Sequence, residues 1–169
     1  SSGQNHMLAV KTDGTLWSWG RNTTGCLGLG NDTIDNSTTN SPQQVGALTT
    51  WSNVSCGKYC SFAIKTDGTI WSWGLNSNGN LGHGVSVSAS SPTQIGVLMA
   101  AASLAQNMGS GKNAAAIKTD GTLWAWGQNT TGALGQGDKI NRSSPTQVGS
   151  NVWSQCSCTR YGLGAVGTS

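Results

Sequence analysis

A ten-residue stretch that occurs three times limits what this chain can fold into. The copies read Lys-Thr-Asp-Gly-Thr-Leu-Trp-Ser-Trp-Gly at residues 11–20, Lys-Thr-Asp-Gly-Thr-Ile-Trp-Ser-Trp-Gly at 65–74 and Lys-Thr-Asp-Gly-Thr-Leu-Trp-Ala-Trp-Gly at 118–127. Equivalent aspartates lie about 53 residues apart, a period typical of repeat architectures. The 169-residue chain is therefore expected to be one domain built from a repeated unit.

Each copy predicts a β-hairpin. Asp-Gly supplies a tight turn, because glycine accepts a positive φ and the aspartate side chain bonds the nearby backbone. Ala-Val/Ile-Lys is the first short strand, and the Trp-x-Trp segment returns with both tryptophans on one face. The predicted structural turn residues are Asp13, Gly14, Asp67, Gly68, Asp120 and Gly121.

A glycine-rich segment follows each hairpin, at residues 20–30, 74–84 and 127–137. Four glycines recur in register around a single leucine, which predicts turns and close backbone approach around a buried side chain. A phosphate-binding loop would also need a following helix and usually a lysine, whereas the next residues are rich in Asn, Ser and Thr. The pattern therefore favours a structural role.

Two further strands complete the unit. Ser-Pro-x-Gln-Val/Ile-Gly recurs at residues 41–46, 91–96 and 144–149 and contains all three prolines. Proline fits an edge strand, where no N–H is needed, so this segment is the predicted outer strand. Trp51 and Trp153 begin equivalent copies of another strand, and residues 99–111 are expected to be a degenerate copy with an insertion.

Four short antiparallel strands in each repeat of about 53 residues predict an all-β fold made of β-propeller blades. The repeats are placed at about 1–50, 51–98 and 99–151, and residues 152–169 begin a further blade. Three blades leave the ring incomplete, because propellers generally have at least four, unless other blades or subunits complete it. The predicted blade core comprises Trp17, Trp19, Leu27, Trp71, Trp73, Leu81, Trp124, Trp126 and Leu134.

The whole pattern, from Ala-Ile-Lys-Thr-Asp-Gly-Thr-Leu-Trp-Ser-Trp-Gly to Ser-Pro-x-Gln-Val-Gly, resembles the regulator of chromosome condensation repeat family (RCC-type). The tryptophan-rich version resembles bacterial, phage and environmental members more than the eukaryotic founder. Members of that family are usually seven-bladed propellers, and the resemblance implies that fold here. The founder of the family is a nucleotide-exchange factor that inserts a loop into a small GTPase; we find no such insertion, so exchange activity is not expected.

The end of the sequence carries the main expectation about partners. Residues 152–158 would form the first strand of a further blade, and an exposed strand edge invites pairing. We therefore expect a neighbouring subunit, or further blades of a longer chain, to complete it. The residues assigned to this candidate intersubunit strand are Val152, Trp153, Cys156 and Cys158.

The reactive residue types do not form a catalytic or metal-binding pattern. His6 and His83 occupy different repeat positions, and neither has a partner motif for acid–base catalysis. Five cysteines at C-x-x-x-C and C-x-C spacings match zinc motifs weakly, so they are expected to be small apolar residues or to form one or two disulfides. We predict no enzymatic activity, no cofactor and no metal.

Composition narrows the partners further. Only 9% of residues are charged and basic residues do not cluster, so neither nucleic acid nor membrane is an expected partner. The eight tryptophans could stack on sugars, but six lie in the repeated hairpins and are assigned to packing. Candidate glycosylation sequons are Asn22, Asn31, Asn36, Asn53, Asn129 and Asn141.

The leading functional hypothesis is a non-enzymatic structural or interaction scaffold within a larger extracellular or virion assembly. Its unfinished blade ends would be completed by a neighbouring subunit or a longer chain. The alternative is a propeller that binds a protein or glycan ligand through its divergent loops, of which residues 31–41 are the first candidate. A guanine-nucleotide exchange factor is the third and least favoured hypothesis.

Overall fold

The structure is a computed structural model that describes residues 1–30, 38–96, 100–105, 111–159 and 162–167. In these ranges the chain is almost entirely β-strand, with one short 3-10 turn at Thr23–Gly25. No helix in the described part is long and apolar enough to cross a membrane. The strands are β1 His6–Val10, β2 Leu16–Arg21, β3 Thr38–Gln44, β4 Trp51–Cys56, β5 Cys60–Lys65, β6 Ile70–Gly74, β7 Ala89–Gln94, β8 Ala101–Leu104, β9 Asn113–Lys118, β10 Thr122–Gly127, β11 Arg142–Cys158 and β12 Leu163–Gly167.

The strands form antiparallel meanders that follow the three repeats. Blade 1 is the sheet β1-β2-β3, and blade 2 is the sheet β4-β5-β6-β7. Blade 3 consists of β8, β9, β10 and the first half of β11. The predicted degenerate strand within residues 99–111 corresponds to β8, while residues 106–110 lie outside the described ranges.

Strand β11 continues from blade 3 into the beginning of a further blade. Its first half pairs with β10, with Arg142 opposite Gly127, and its second half pairs with β12, with Cys158 opposite Leu163. Residues 152–158, expected to pair with another subunit or further blades, are therefore already paired with β12 inside the chain. The boundary that we placed near residue 151 falls within this continuous strand.

Every hairpin turn is held by the same small network. In the first copy, Asp13 Oδ1 accepts hydrogen bonds from the Thr15 N–H at 3.0 Å and the Thr15 hydroxyl at 2.6 Å. The Trp17 indole N–H donates to Thr15 Oγ1 at 2.8 Å. The Lys11 ammonium lies 3.8 Å from the centre of the Trp17 ring. The same hydrogen bonds recur around Asp67 and Asp120, so the repeated motif is a self-contained turn.

A backbone hydrogen bond ties each blade to the preceding turn. The N–H of Trp51 donates to Gly14 O at 3.1 Å, and the N–H of Ala101 donates to Gly68 O at 2.8 Å. The third instance joins the N–H of Trp153 to Gly121 O at 2.9 Å. The first strand of every new blade is therefore positioned by the Asp-Gly turn of the blade before it.

The apolar core lies between blades. One cluster combines Leu8 and Leu16 of blade 1 with Ala63 and Trp73 of blade 2. A second cluster extends from Phe62 in blade 2 through blade 3 to the cysteines at the end of β11. Neighbouring sheets therefore bury each other, and stability depends on their stacking.

Candidate functional site

The contact between consecutive blades is centred on the second tryptophan of each hairpin. The Trp73 indole N–H donates to Cys26 O in blade 1 at 2.9 Å, and Trp73 is fully buried. Its ring lies against Gly28, where a Cβ atom would come within 2.7 Å of the indole nitrogen. Only glycine allows this close approach, which explains why the glycine-rich segment follows the hairpin.

The contact between blades 2 and 3 repeats this geometry. The Trp126 indole N–H donates to Asn80 O at 2.9 Å, and Trp126 packs against Gly82. A second hydrogen bond joins the segments nearby, from Gly84 N–H to Ser143 O at 2.7 Å. Its counterpart between blades 1 and 2 runs from Gly30 N–H to Ser90 O at 3.0 Å. Two copies of one contact therefore hold the three blades together.

Blade 1 carries the tryptophan half of this contact, which no described blade covers; we call it the leading face and define it as Met7, Trp19 and Asn40. Trp19 is equivalent to Trp73 and Trp126 but is only half-buried. Met7 lies opposite Trp19 in the strand register and is 42% exposed. Asn40 is exposed and occupies the position of the Ser90 carbonyl acceptor.

The other half of the contact is the trailing face of blade 3, which we define as Ala133, Gly135, Gly137 and Val148. No atom of a described tryptophan lies within 4 Å of a Cβ placed at Gly135 or Gly137, unlike at Gly28 and Gly82. Gly135 is equivalent to Gly28 and Gly82, but the atom nearest to a Cβ at Gly135 would be Val148 Cγ1, at 3.2 Å. Val148 is half-buried, whereas its equivalents Val45 and Ile95 are 2% and 0% exposed. The two end blades thus present complementary halves of a contact that is complete twice inside the chain.

The predicted blade core divides into three environments. Leu27, Leu81 and Leu134 are buried, as are Trp73 and Trp126. Trp19 is half-buried because no described blade precedes it. The first tryptophan of each hairpin is also half-buried, because its indole covers the turn of its own hairpin. Those residues are Trp17, Trp71 and Trp124.

A buried asparagine holds the loop that follows the glycine-rich segment in blade 2. Asn76 is fully buried; its amide NH2 donates to the carbonyls of Val85 and Val87 at 2.8 and 2.9 Å. Its side-chain oxygen accepts from Leu81 N–H at 2.9 Å. The loop is therefore held rigidly although Val85 and Val87 are 52% and 69% exposed.

Blade 3 repeats this arrangement with Asn129. Its amide NH2 donates to Asp138 O at 3.0 Å, and its oxygen accepts from Leu134 N–H at 2.9 Å. The loop exposes Ile140, which is equivalent to Val87 and is 64% exposed. In blade 1 the Asn22 oxygen accepts from Leu27 N–H, but most of the candidate loop 31–41 lies outside the described residues.

Comparison with known proteins decides the family. The family model of the regulator of chromosome condensation (RCC1) repeat matches residues 13–64, 67–107 and 120–166. A second family model with the same description matches residues 51–80. The chain belongs to the RCC1 repeat family. This confirms the resemblance drawn from the repeated motif.

Solved structures show the fold. The crystal structure of Prp20p from Saccharomyces cerevisiae superposes with a TM-score of 0.84 at 23% identity, covering 99% of this chain and 43% of Prp20p. Yeast RCC1 (Prp20) bound to Kap60 gives a TM-score of 0.85 at 22% identity, covering 99% of this chain and 42% of that one. The all-β propeller prediction is confirmed, with the described blades forming part of such a ring.

Two curated relatives show how widely the RCC1 repeat is used. HERC6 of Homo sapiens, a probable E3 ubiquitin-protein ligase, is 32% identical over 88% of this chain and 15% of HERC6. The ultraviolet-B receptor UVR8 of Arabidopsis thaliana is 31% identical over 88% of this chain and 33% of UVR8. The chain thus spans a third or less of these relatives. The RCC1-repeat propeller is generally non-catalytic and typically mediates protein interactions.

The two histidines of this RCC1 array are buried or half-buried, and each contacts a serine hydroxyl. His6 Nε2 lies 3.0 Å from Ser61 Oγ across the interface of blades 1 and 2. Since the Ser61 hydroxyl donates to Cys26 O, His6 must be the donor through Nε2–H. Burial lowers the pKa of His6 to about 4. His83 contacts Ser72 Oγ at 2.8 Å, and burial likewise lowers its pKa.

The five cysteines are all buried free thiols. Of the two alternatives that the sequence left open, the structure shows small buried residues and not disulfides. Burial raises the pKa of Cys156 to about 11 and that of Cys26, Cys60 and Cys158 to about 12. Among the described residues, no three His, Cys, Asp or Glu side chains gather into a potential metal site.

The six sequons divide by position. Asn22 and Asn129 are 1% and 0% exposed, and their side chains bond the backbone, so the folded chain has no room for a glycan there. These two candidate glycosylation sites are therefore corrected to buried asparagines that bond the backbone. Asn53 and Asn141 lie exposed, and the Asn141 side-chain oxygen accepts from the Asn129 N–H. Asn31 and Asn36 lie outside the described residues.

Proposed function

We propose that this chain is a non-enzymatic interaction scaffold within a larger extracellular or virion assembly, in which other blades cover its end faces. One observation carries the proposal: Trp19 is half-exposed, whereas its equivalents Trp73 and Trp126 are fully buried against a neighbouring blade. An aromatic side chain in that environment favours association, because burial removes apolar surface from water. The occupant would be blades of a neighbouring subunit or of a longer chain.

The relatives support an interaction role in general terms. The Prp20p study concerns binding to Gsp1p and histones, and a second structure contains Kap60 bound to yeast RCC1. Those partners belong to those proteins, of which this chain spans less than half. What they support is the use of a rigid RCC1 propeller as a platform for proteins.

The proposed location rests on the surface chemistry. With only 9% charged residues, the outer strands and loops are neutral and rich in Ser, Thr and Asn. Such a surface suits a protein packed among copies or partners outside the cell. Fractionation of the producing culture tests this location, because a chain confined to the cytosol would contradict it.

The assembly itself is tested by isolating the chain from its producing cells, medium and particles under native conditions. Native mass spectrometry and electron microscopy should show the chain in species larger than its own 17.3 kDa. A Trp19→Ala variant, which lacks the half-exposed ring, should be depleted from those species. A chain found only as a 17.3 kDa monomer in every fraction would overturn the scaffold proposal.

Ligand binding through the loops is the second candidate. It is favoured by Val85, Val87 and Ile140, which are more than half exposed on loops held by buried asparagines. Replacing Val87 and Ile140 with Asp should abolish binding on protein or glycan arrays while leaving assembly intact. No array signal for the unaltered chain would count against this candidate.

A nucleotide-release assay tests the exchange-factor alternative directly.

A further inference from the structure

We propose that a cleft between blades 1 and 2 binds an extended, proline-containing peptide of a partner protein. The cleft has a volume of about 310 Å³ and is open to solvent. Its apolar walls are Leu29, Val45, Leu48, Trp51, Trp71 and Pro92. The site is distinct from the two end faces of the array, so it does not depend on what covers those faces.

Two tryptophan rings form a corner of the cleft. The ring centres of Trp51 and Trp71 lie 5.9 Å apart, and their planes make an angle of 82°. The Lys65 ammonium lies 3.7 Å from the centre of the Trp71 ring and 5.1 Å from that of Trp51, which holds both rings in place. A proline ring or a branched aliphatic side chain can contact both walls of such a corner at once.

The cleft is preformed, because backbone hydrogen bonds join the two blades beside it. Gly30 N–H donates to Ser90 O at 3.0 Å, and the backbone N–H of Trp51 donates to Gly14 O at 3.1 Å. Both donors belong to residues that line the cleft. A ligand therefore meets a rigid surface, and binding has to order few side chains.

Trp51 also brings a hydrogen-bond donor that the described chain does not use. Its side chain is 3% exposed, and its indole N–H has no hydrogen-bond partner among the described residues. The indole N–H of Trp71, by contrast, donates to Thr69 Oγ1 at 2.9 Å. A buried donor without an acceptor costs free energy, and the carbonyl of a ligand would recover that cost.

The residues that make this cleft apolar are not part of the repeated motif. Leu29 lies between two glycines, where blade 2 has His83 and blade 3 has Gln136. Trp51 begins β4, whereas the equivalent residue of blade 3 is Ala101. Blades 2 and 3 stack with neither a leucine nor a tryptophan at these positions, so stacking does not require them. Their combination at the first interface points to a role in binding.

The chemistry of the cleft favours a peptide over a sugar. None of the described residues that line it is charged, and its polar side chains are Gln44 and Ser91 at the exposed rim. A sugar carries many hydroxyls, most of which would lie unpaired against the apolar walls. A proline-containing segment instead offers apolar rings, few N–H groups and carbonyl acceptors, and its extended conformation is partly fixed before binding.

Calorimetric titration of the whole chain tests the site. The probes are blocked Pro-Pro-x-Pro-Pro pentapeptides in which x is each uncharged residue in turn. At least one should bind with a Kd below about 1 mM. Leu48→Asp places a carboxylate in the cleft at a side chain that is 48% exposed, so the variant should fold and bind at least about tenfold more weakly.

Two matched variants separate binding from folding. Val87→Asp adds the same carboxylate to an exposed apolar side chain outside the cleft, and should bind as the unaltered chain does. Trp51→Phe removes the unpaired N–H and should weaken binding about two- to tenfold. It should lower the unfolding temperature less than Trp73→Phe does, because only Trp73 loses a hydrogen bond, the one to Cys26 O.

Nuclear magnetic resonance provides the independent readout. Trp51→Phe identifies the Trp51 indole N–H signal among those of the eight tryptophans. In the unaltered chain this signal should move downfield when the peptide is added, because its proton gains an acceptor.

Three results would overturn the proposal. They are no binding by any pentapeptide at 1 mM, equal binding by Leu48→Asp, and binding of maltotriose or chitotriose in place of the peptides. None of these results bears on the scaffold proposal, since the cleft lies outside the end faces on which that proposal rests.

Discussion

His6 is uncharged at neutral pH because it lies in the interface between blades 1 and 2. Its ring is 3% exposed and is held by Ser61. Burial lowers its pKa from 6.5 to about 4, so the folded chain resists protonation there. In the unfolded chain the ring is solvated and titrates at its ordinary value.

The first prediction is that acid destabilises the fold between pH 6.5 and 4 through His6. In that window the unfolded chain binds more protons than the folded chain. The His6 contribution to the free energy of unfolding is therefore fully present above pH 6.5 and is lost as the pH is lowered towards 4. The largest loss for this shift is about 3 kcal/mol. His6→Asn, which introduces the residue that blade 3 carries at Asn113, should flatten the profile measured by urea unfolding.

His83 adds a slope of the same sign, because burial lowers its pKa too. The pKa of Asp13 is lowered from 3.8, chiefly by the hydrogen bond from the Thr15 hydroxyl. Protonation of such exposed carboxylates therefore changes stability only below about pH 4, outside the His6 range. A His83→Asn control should therefore leave most of the His6 effect in place. An unchanged profile in His6→Asn would contradict the assignment.

The buried asparagines that follow each Trp-Gly pair show where a single residue could not be interpreted from the sequence alone. Asn22 and Asn129 begin sequons, whereas Asn76, which has the same role as Asn129, does not. The signal for that role was present, since an asparagine follows the Trp-Gly pair by two positions in all three copies. The direction of the side chain could not be predicted, because it depends on the loop that folds back over it.

At the scale of elements, the loops bonded by Asn76 and Asn129 are expected to have a large effect on stability. Asn76 satisfies two loop carbonyls and one amide without any exposure to water. Removing it would leave three buried or partly buried backbone groups unpaired. Each such group costs about 1–3 kcal/mol when its partner is lost, although relaxation and water recover part of that cost.

The second prediction is that Asn76→Ala lowers the free energy of unfolding by about 2–4 kcal/mol. The amide of Leu81 should lose protection from hydrogen exchange, since its acceptor is removed. Asn78→Ala is the matched control: among the described residues its side chain bonds the nearby Ser77 hydroxyl at the surface, so its removal should change stability little. Equal effects of both variants would show that Asn76 does not hold the loop.

The strands themselves were largely predictable. Asp-Gly with alternating side chains identified every hairpin, and the Ser-Pro segments correctly marked β3, β7 and the start of β11. The two tryptophans of a hairpin share one face as expected, yet Trp71 is half-buried and Trp73 is fully buried. Alternation gives the face of a strand but not the distance of each residue from the neighbouring blade, so this difference needed the structure.

At the scale of the whole molecule, stability depends on contacts between consecutive blades. Trp73 and Trp19 occupy the same position in the repeat, but within the described part of the chain only Trp73 packs against a preceding blade. Comparing the same substitution at the two positions therefore measures how much one blade interface contributes to the free energy of unfolding. Phenylalanine keeps most of the aromatic volume and removes the indole N–H.

The third prediction is that Trp73→Phe costs about 1–3 kcal/mol, from the lost hydrogen bond to Cys26 O and the space left against Gly28. Trp19→Phe should cost less than about 1 kcal/mol in the monomer, because that face is uncovered. Urea unfolding at low protein concentration, where association is minimal, measures both. A Trp19→Phe cost equal to that of Trp73→Phe would contradict the interface assignment.

The sequence predicted the number of blades but not what lies against the outer ones. The period and the shared motif predicted three propeller blades, and the superposition on 43% of Prp20p agrees with that. What occupies the outer sides of blades 1 and 3 was not predictable, because the repeat pattern describes one unit and its neighbour. The further blade also began differently from expectation, with its first strand already paired to β12.

The backbone tie from each new blade to the preceding Asp-Gly turn has an evolutionary consequence. Trp51 bonds Gly14 O, Ala101 bonds Gly68 O and Trp153 bonds Gly121 O, so blades 2 and 3 each contain both the donor to the preceding turn and the acceptor for the following strand. A gene segment that encodes one such unit can be duplicated in tandem and fit at once between existing copies. Selection is then free to alter the loops of the new copy, while the joints that it inherited remain in use.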